Sequence, residues 1–323
     1  MSEPLRYLSN ADVSTALPTP LRAVELAGQA LRMRAHGAAQ VPPKPAVTFG
    51  DNAFANAMPV AAPGLLGCKW ITLVPANASQ GLPTANGLMI VSDAETGLPV
   101  CLMAAGALTA ARTAAVTGAC LQAFVPVDEP VVFVGTGAQA RSHLWVLAAL
   151  GYLDVTVVGR KDEALANVRE YARTQGLEIA VSRTREPLAR AGAVVTGLPI
   201  GLEGAELDDE PLRDDVVLLP LDYASSIGAR LASTCTVWSD DVEQFAAVAP
   251  AKLGADYPLA TDWVGRRLPE PNVGSRTLAE GRPMGRLLCQ NLGNAASDIV
   301  VAAEVAATAT ARGLGQVLEG ELR

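Results

Sequence analysis

Pro130-Val-Val-Phe-Val-Gly135-Thr-Gly137-Ala-Gln-Ala140-Arg-Ser-His143-Leu-Trp-Val-Leu-Ala-Ala-Leu150 is the stretch that decides the fold. Val131 to Val134 is an apolar run; a Gly135-x-Gly137-x-x-Ala140 turn follows at once, and a helical segment follows the turn. A strand feeding a glycine turn that opens a helix is the context the dinucleotide fingerprint requires. Gly135 allows the tight turn, Gly137 lets a pyrophosphate approach bare backbone, and Ala140, in place of a third glycine, keeps helix and strand close. The anion would then rest on free N–H groups at the positive end of the helix dipole. Such a turn alone is weak evidence, because ordinary glycine turns are common. A second strand, Asp154 to Val158, follows at the right distance and strengthens the nucleotide reading.

Working outward, strands and helices alternate after the break at Val125-Pro126-Val-Asp-Glu-Pro130. Further strands are expected at Glu178 to Val181, Ala193 to Thr196, Val216 to Leu221 and Cys235 to Trp238, with a Pro- and Gly-rich connection from Pro250 to Pro283. Alternation of this kind predicts an α/β fold, a Rossmann-type doubly wound parallel sheet, over residues 127–293. Residues 1–126 predict a mixed α+β substrate-binding and dimerisation domain, completed by 294–323. It holds a helix from Asp12 to Ala38, strands at Pro42 to Phe49 and Gly67 to Pro75, and a loop from Ala53 to Pro63. A hairpin of Gly87 to Asp93 with Pro99 to Met103 and a helix from Thr109 to Ala123 follow. A long amphipathic helix, Asn294 to Ala311, is expected to pack back onto this domain.

At 323 residues the chain can bury two sizeable cores. Half its residues are hydrophobic and few are aromatic, so Ala, Val and Leu must fill them. A net charge of −8 argues against nonspecific binding to nucleic acid or an acidic membrane. The five cysteines lack metal-ligand spacing and read as buried hydrophobes of a reduced compartment. No cluster suggests a metal, and the first residues show no secretory signal, so a cytoplasmic protein is expected. The Ala-rich runs Leu98 to Val127 and Ala295 to Ala311 are broken by Arg112, and by Asp298 and Glu304, which favours buried helices over membrane spans.

At the end of the second nucleotide-binding strand, Val157-Val-Gly159-Arg160-Lys161 offers cations where NAD-selective proteins place a carboxylate. Arg160 and Lys161 therefore favour NADP(H), with NAD(H) an alternative. In the first region, Lys69 sits mid-strand between Cys68 and Trp70, and Arg112 opens an apolar helix. Either is a candidate for a substrate carboxylate or, for Arg112, the pyrophosphate; a buried salt bridge or a snorkelling side chain is the structural alternative. Lys44, in Pro42-Pro-Lys44-Pro45, is a third candidate. His143, one turn into the nucleotide-binding helix, reads as a packing residue or cofactor neighbour.

Several segments in order give the chain a resemblance to the ornithine cyclodeaminase/mu-crystallin family. They are Gly67-Cys-Lys69, Gly81-Leu-Pro-Thr84-Ala-Asn-Gly87, Asp93-Ala-Glu-Thr-Gly97 and Leu108-Thr-Ala-Ala-Arg112-Thr113. Val134-Gly-Thr-Gly-Ala-Gln139-Ala-Arg141 and Asn291-Leu-Gly293-Asn-Ala-Ala-Ser-Asp298 complete the set. The resemblance implies a homodimer paired through its substrate domains, a nicotinamide dinucleotide, and a small amino or imino acid held against it. It implies that Lys69 binds the substrate carboxylate, and that Thr84 and Arg112 contact the cofactor, Arg112 also the substrate. Ala138 and Gln139 would lie at the pyrophosphate, Arg160 at the adenosine ribose, Thr196 along the cofactor and Gly293 facing the nicotinamide. Lys44 stands where many members place an arginine.

One departure matters. Cyclodeaminases carry a Gly-Asp-x-Pro-Gly-Lys segment where this chain reads Leu219-Pro-Leu-Asp222-Tyr-Ala-Ser-Ser226. Asp222 is thus a general acid/base or the cap of a helix beginning near Ser226. The expected activity is NAD(P)H-dependent reduction of a small imino acid, or amino-acid dehydrogenation. The alternatives are ornithine cyclodeamination with recycled NAD and non-catalytic NADPH binding.

Overall fold

The computed structural model describes residues 4–50, 53–269 and 282–318. The chain divides into two compact units, Met1–Thr113 with Asn294–Arg323, and Ala114–Gly293.

The first unit contains β1 (Leu5–Leu8), α1 (Asn10–Ala16), α2 (Pro20–Ala35), β2 (Ala46–Thr48), β3 (Phe54–Ala62), β4 (Leu65–Leu73), β5 (Ala85–Ser92) and β6 (Pro99–Ala104). Helix α3 (Ala105–Phe124) contributes to both units. The single helix expected from Asp12 to Ala38 is two. Pro18 and Pro20 cannot continue α1, and Pro20 instead starts α2 behind Thr19, whose side chain accepts from the Arg22 amide. The loop expected at Ala53 to Pro63 is the nine-residue strand β3, paired antiparallel along its length with β4. Its Ala, Asn and Pro residues give little β signal, and cross-strand packing overrides them.

The second unit runs β7 (Val131–Val134), α4 (Ala138–Leu150), β8 (Val155–Val158), α5 (Asp162–Thr174), β9 (Ala180–Ser182), β10 (Ala193–Thr196) and β11 (Val217–Pro220). It continues through α6 (Ala229–Ala232), β12 (Cys235–Ser239), α7 (Val242–Lys252), β13 (Asp262–Trp263), α8 (Val264–Arg267) and β14 (Arg286–Cys289). The expected connection from Pro250 to Pro283 therefore holds the end of α7, β13 and α8; its residues 270–281 lie outside the described ones. Strand β14 carried no expectation, being only Arg-Leu-Leu-Cys, yet it lies between β11 and β12.

The order is β13-β12-β14-β11-β10-β7-β8-β9, and every pairing is parallel. From β7 the chain builds outward to β9, then returns to lay β10 on the other side of β7. That reversal is the switch point of a doubly wound sheet, where the loops after β7 and β10 part. Strands β7, β8, β10 and β11 are buried along their whole length, as a sheet covered on both faces requires.

In the first unit the sheet order is β15-β1-β6-β5-β4-β3-β2, closed by β15 (Gln316–Leu318), which follows α9 (Ala295–Arg312). All its pairings are antiparallel except β1 with β6. Helix α9 is capped by Asn294 and packs against α2, β3, β4 and β5, as expected of it. On the face beneath it Met58, Lys69, Met89 and Met103 follow one another across β3, β4, β5 and β6. The opposite face leaves Trp70, Leu88 and Ile90 exposed. Among the described residues, no helix is long and apolar enough to cross a membrane.

Candidate active site

Gly135 has φ +125°, a conformation open to glycine, and a Cβ there would stand 2.6 Å from the Gly197 carbonyl oxygen. The turns after β7 and β10 thus meet backbone to backbone. Gly137 differs. It is the N-cap of α4 with no side chain bonded to the helix start, and a Cβ on it would meet nothing within 4 Å. The start of α4 is thus uncapped by any side chain, with Gly137 and Ala138 exposed, which suits a dinucleotide pyrophosphate. Ala140 is fully buried, so helix and strand are close there.

Beyond β8, Arg160 and Lys161 are exposed. The first carboxylate after them, Asp162, pairs with Arg183 at 3.3 Å. Two cations at the strand end and a carboxylate already engaged leave positive charge in excess.

At the ends of β10 and β11 three buried side chains form a relay. Thr196 Oγ1 lies 2.6 Å from Ser226 Oγ, which donates to Asp222 Oδ1 at 2.7 Å. The Leu198 amide donates to Asp222 Oδ2 at 3.1 Å. Burial raises the Asp222 carboxyl above the ordinary carboxylate range, more than these donors lower it. Asp222 does not cap the following helix: α6 begins at Ala229, and Asp208 takes the Leu231 amide there. Tyr223, next to Asp222, is a non-glycine residue with φ +55°, a strained conformation of the kind that gathers at functional sites. Gly293 has φ +78°, and its carbonyl accepts from Gln244 Nε2 at 3.1 Å.

His143 is enclosed by Phe133 at 5.2 Å, the Gln139 carbonyl at 2.7 Å and Thr117 Oγ1 at 3.1 Å. Burial pulls its imidazole down to about 4, so it stays neutral and serves packing.

In the first unit, Lys69 is 1% exposed, and its Nζ donates to Asp298 Oδ1 at 2.5 Å. Arg112 Nε lies 2.9 Å from the same oxygen. Burial, then Arg112, lowers the Lys69 amine to about 7; the half-buried Lys44 pushes the same way, and Asp298 opposes them. Lys44, Lys69 and Arg112 are thus brought into one field. Thr84 is exposed, and its carbonyl accepts the Val74 amide at the base of the β4–β5 loop.

Sequence reasoning passed over Asp298 as a site residue. Its signal was present: a lone acid in an Ala- and Val-rich turn of helix, an arrangement that burial permits only with a partner.

The model of the ornithine cyclodeaminase/mu-crystallin family matches residues 7–200. A nodulation efficiency protein of Rhizobium meliloti is 27% identical over 98% of this chain and 99% of its own. A Delta(1)-pyrroline-2-carboxylate/Delta(1)-piperideine-2-carboxylate reductase of Azospirillum brasilense is 33% identical over 46% of this chain, which spans about half, 47%, of that relative. An archaeal alanine dehydrogenase, solved as a dimer with bound NAD, superposes with a TM-score of 0.80 at 24% identity, covering 98% of this chain and 99% of that one. That likeness shows a shared fold. The chain belongs to the ornithine cyclodeaminase/mu-crystallin family.

Proposed function

We propose that the protein is an NAD(P)H-dependent reductase of small cyclic or acyclic imino acids, yielding an amino acid. The observation that carries this reading is the buried group of Lys69, Arg112 and Asp298, in which cations outnumber carboxylates, in a chain that also holds an uncapped glycine turn of dinucleotide type. The pyrroline- and piperideine-carboxylate reductase among its relatives supports the substrate class.

Dinucleotide binding falls to Gly135, Gly137, Ala138 and Gln139 at the pyrophosphate, and to Thr84, Arg112, Thr196 and Gly293 along the rest of the molecule. Arg160 and Lys161 take the adenosine ribose, and their charge favours its 2′-phosphate. NAD bound to the alanine dehydrogenase supports the coarser assignment. When bound, the reduced nicotinamide supplies a hydride. Lys69, with Lys44 and Arg112, holds the substrate carboxylate and so fixes the carbon to be reduced. Asp222, its proton affinity raised by burial, would give its proton to the imine nitrogen, and the carboxylate left behind would stabilise the iminium whose carbon then takes the hydride.

The exposed Trp70, Leu88 and Ile90 on the outer sheet face support a homodimer in which a second copy covers them. The free state of all five cysteines supports a cytoplasmic setting.

The test is nicotinamide oxidation by the full chain, with NADH and with NADPH. The substrates are Δ1-pyrroline-2-carboxylate, Δ1-piperideine-2-carboxylate, and pyruvate or oxaloacetate with ammonia. Oxidation with at least one imine is expected. Inactivity throughout, together with ammonia release from ornithine without net cofactor change, would replace the reading by cyclodeamination.

A further inference from the structure

The buried ion cluster of the first unit is not closed. Asp298 is fully buried on α9, and its Oδ1 serves both Lys69 Nζ and Arg112 Nε while Oδ2 has no hydrogen-bond partner. Arg112 Nε, though near Oδ1, makes no well-directed hydrogen bond. Thr109 Oγ1, one turn earlier on α3, is buried without one. Two cations face one carboxylate, and Lys44 adds to the positive field. A self-contained buried salt bridge satisfies its members, because unmade bonds of buried groups cost more than the pair returns. This one leaves an acceptor, a hydroxyl and positive charge over, the condition of a site awaiting a partner.

We propose that Asp298 is the positioning residue of a carboxylate anchor. It holds Lys69 Nζ and Arg112 Nε through one oxygen, so that their remaining N–H groups act together on the anionic end of a ligand. The inference rests on the imino-acid reading for its ligand, and on this geometry for the rest. An ammonium has three N–H donors and a guanidinium five; Lys69 spends one on Oδ1 and Arg112 pairs with that oxygen by charge, so most of the donors are left for a ligand. Asp298 also decides whether Lys69 keeps its proton. Burial, Arg112 and Lys44 drive the proton off, and Asp298 is the charge that retains it. On the neighbouring strands Lys69 is flanked in register by Met58 and Met89, which bring no charge.

The chain has four lysines, Lys44, Lys69, Lys161 and Lys252, so isotope labelling at lysine Cε gives four signals in the full-length protein. The Lys69 signal is the one missing from Lys69→Arg. Without ligand it is expected to titrate near pH 7. In Asp298→Asn it should titrate roughly 1–3 pH units lower, and in Asp298→Glu, which keeps the charge, close to wild type. Pyrrole-2-carboxylate, a flat unreactive carboxylate, serves as the binding probe. Its Kd should rise about tenfold per pH unit above the wild-type break, with that break displaced downward in Asp298→Asn.

An unmoved Lys69 midpoint in Asp298→Asn, or uniformly weaker probe binding with an unchanged break, would reduce Asp298 to a structural role. Should Asp298→Asn fail to fold, wild type and Asp298→Glu decide. A wild-type midpoint at the ordinary lysine value of about 10.4, or a glutamate variant with its midpoint displaced far below wild type, overturns the inference. Failure to reduce any imine, with the Lys69 midpoint as expected, counts against the reductase reading alone.

Discussion

Two fully buried ionisable groups, one in each unit, meet opposite surroundings. Asp222 is met by neutral donors, the Ser226 hydroxyl and the Leu198 amide. Lys69 is met by one carboxylate and two further cations. Burial drives both toward their neutral forms, which moves a carboxyl up and an amine down. Neutral donors do not offset the desolvation of Asp222. A single carboxylate does not offset burial and two like charges around Lys69. The difference separates two roles. A carboxyl whose hold on its proton is strengthened by burial is suited to deliver it, and an amine that loses its proton near pH 7 makes anion binding depend on pH.

The strongest way to break this comparison is Asp222→Asn, which keeps the shape and removes the titratable proton. We expect kcat to fall about 10²–10⁴-fold with KM little changed, as for loss of a general acid. A rise in KM alone, with kcat unchanged, would place Asp222 among the structural carboxylates. Next in size, Lys69→Ala should raise KM for the imino acid about 10²-fold while leaving NADH affinity nearly intact; unchanged kinetics would remove Lys69 from the site. Arg160→Ala touches neither buried group and acts as the contrast. It should weaken NADPH about tenfold more than NADH, the effect of one charge-assisted contact. Equal loss for both dinucleotides would retire the 2′-phosphate assignment.

The two regions were also unequally legible in the sequence. The glycine turn declared itself because each residue in it answers a backbone demand: positive φ at Gly135, free space at Gly137, close packing at Ala140. Parallel strands buried on both faces read as short apolar runs, so β7, β8, β10 and β11 were found close to their observed limits. Strand β14 escaped because four residues carry no period. Strand β3 escaped because its β structure comes from pairing with β4 and not from its own side chains. Lys69 was visible as a cation in apolar company, whereas its partner lies 229 positions away on α9. No local pattern joins residues that far apart; only the packing of the helix on the sheet brings them together. The sequence leaves Asp222 open between acid and cap, and the start of α6 at Ala229, beyond its reach as a cap, removes the second.

The smallest effect is the one that sharpens the comparison most. Lys69→Arg keeps the positive charge but makes it permanent, because a guanidinium does not deprotonate in a protein. The site is fully buried, so the larger head must displace neighbours. Met58 and Met89 flank it and are flexible enough to yield. The strain of about 1 kcal/mol should raise KM at neutral pH about fivefold. The diagnostic lies in the pH profile. In wild type the protonated amine binds the carboxylate, so affinity is full below about 7 and is lost as pH rises through that value. In Lys69→Arg the KM limb should become flat across the same range. Any alkaline fall that remains in kcat then belongs to Asp222, whose proton must be present to be given. If the KM limb persists in Lys69→Arg, the pH dependence of binding arises elsewhere, and the contrast between the two buried groups loses its functional meaning.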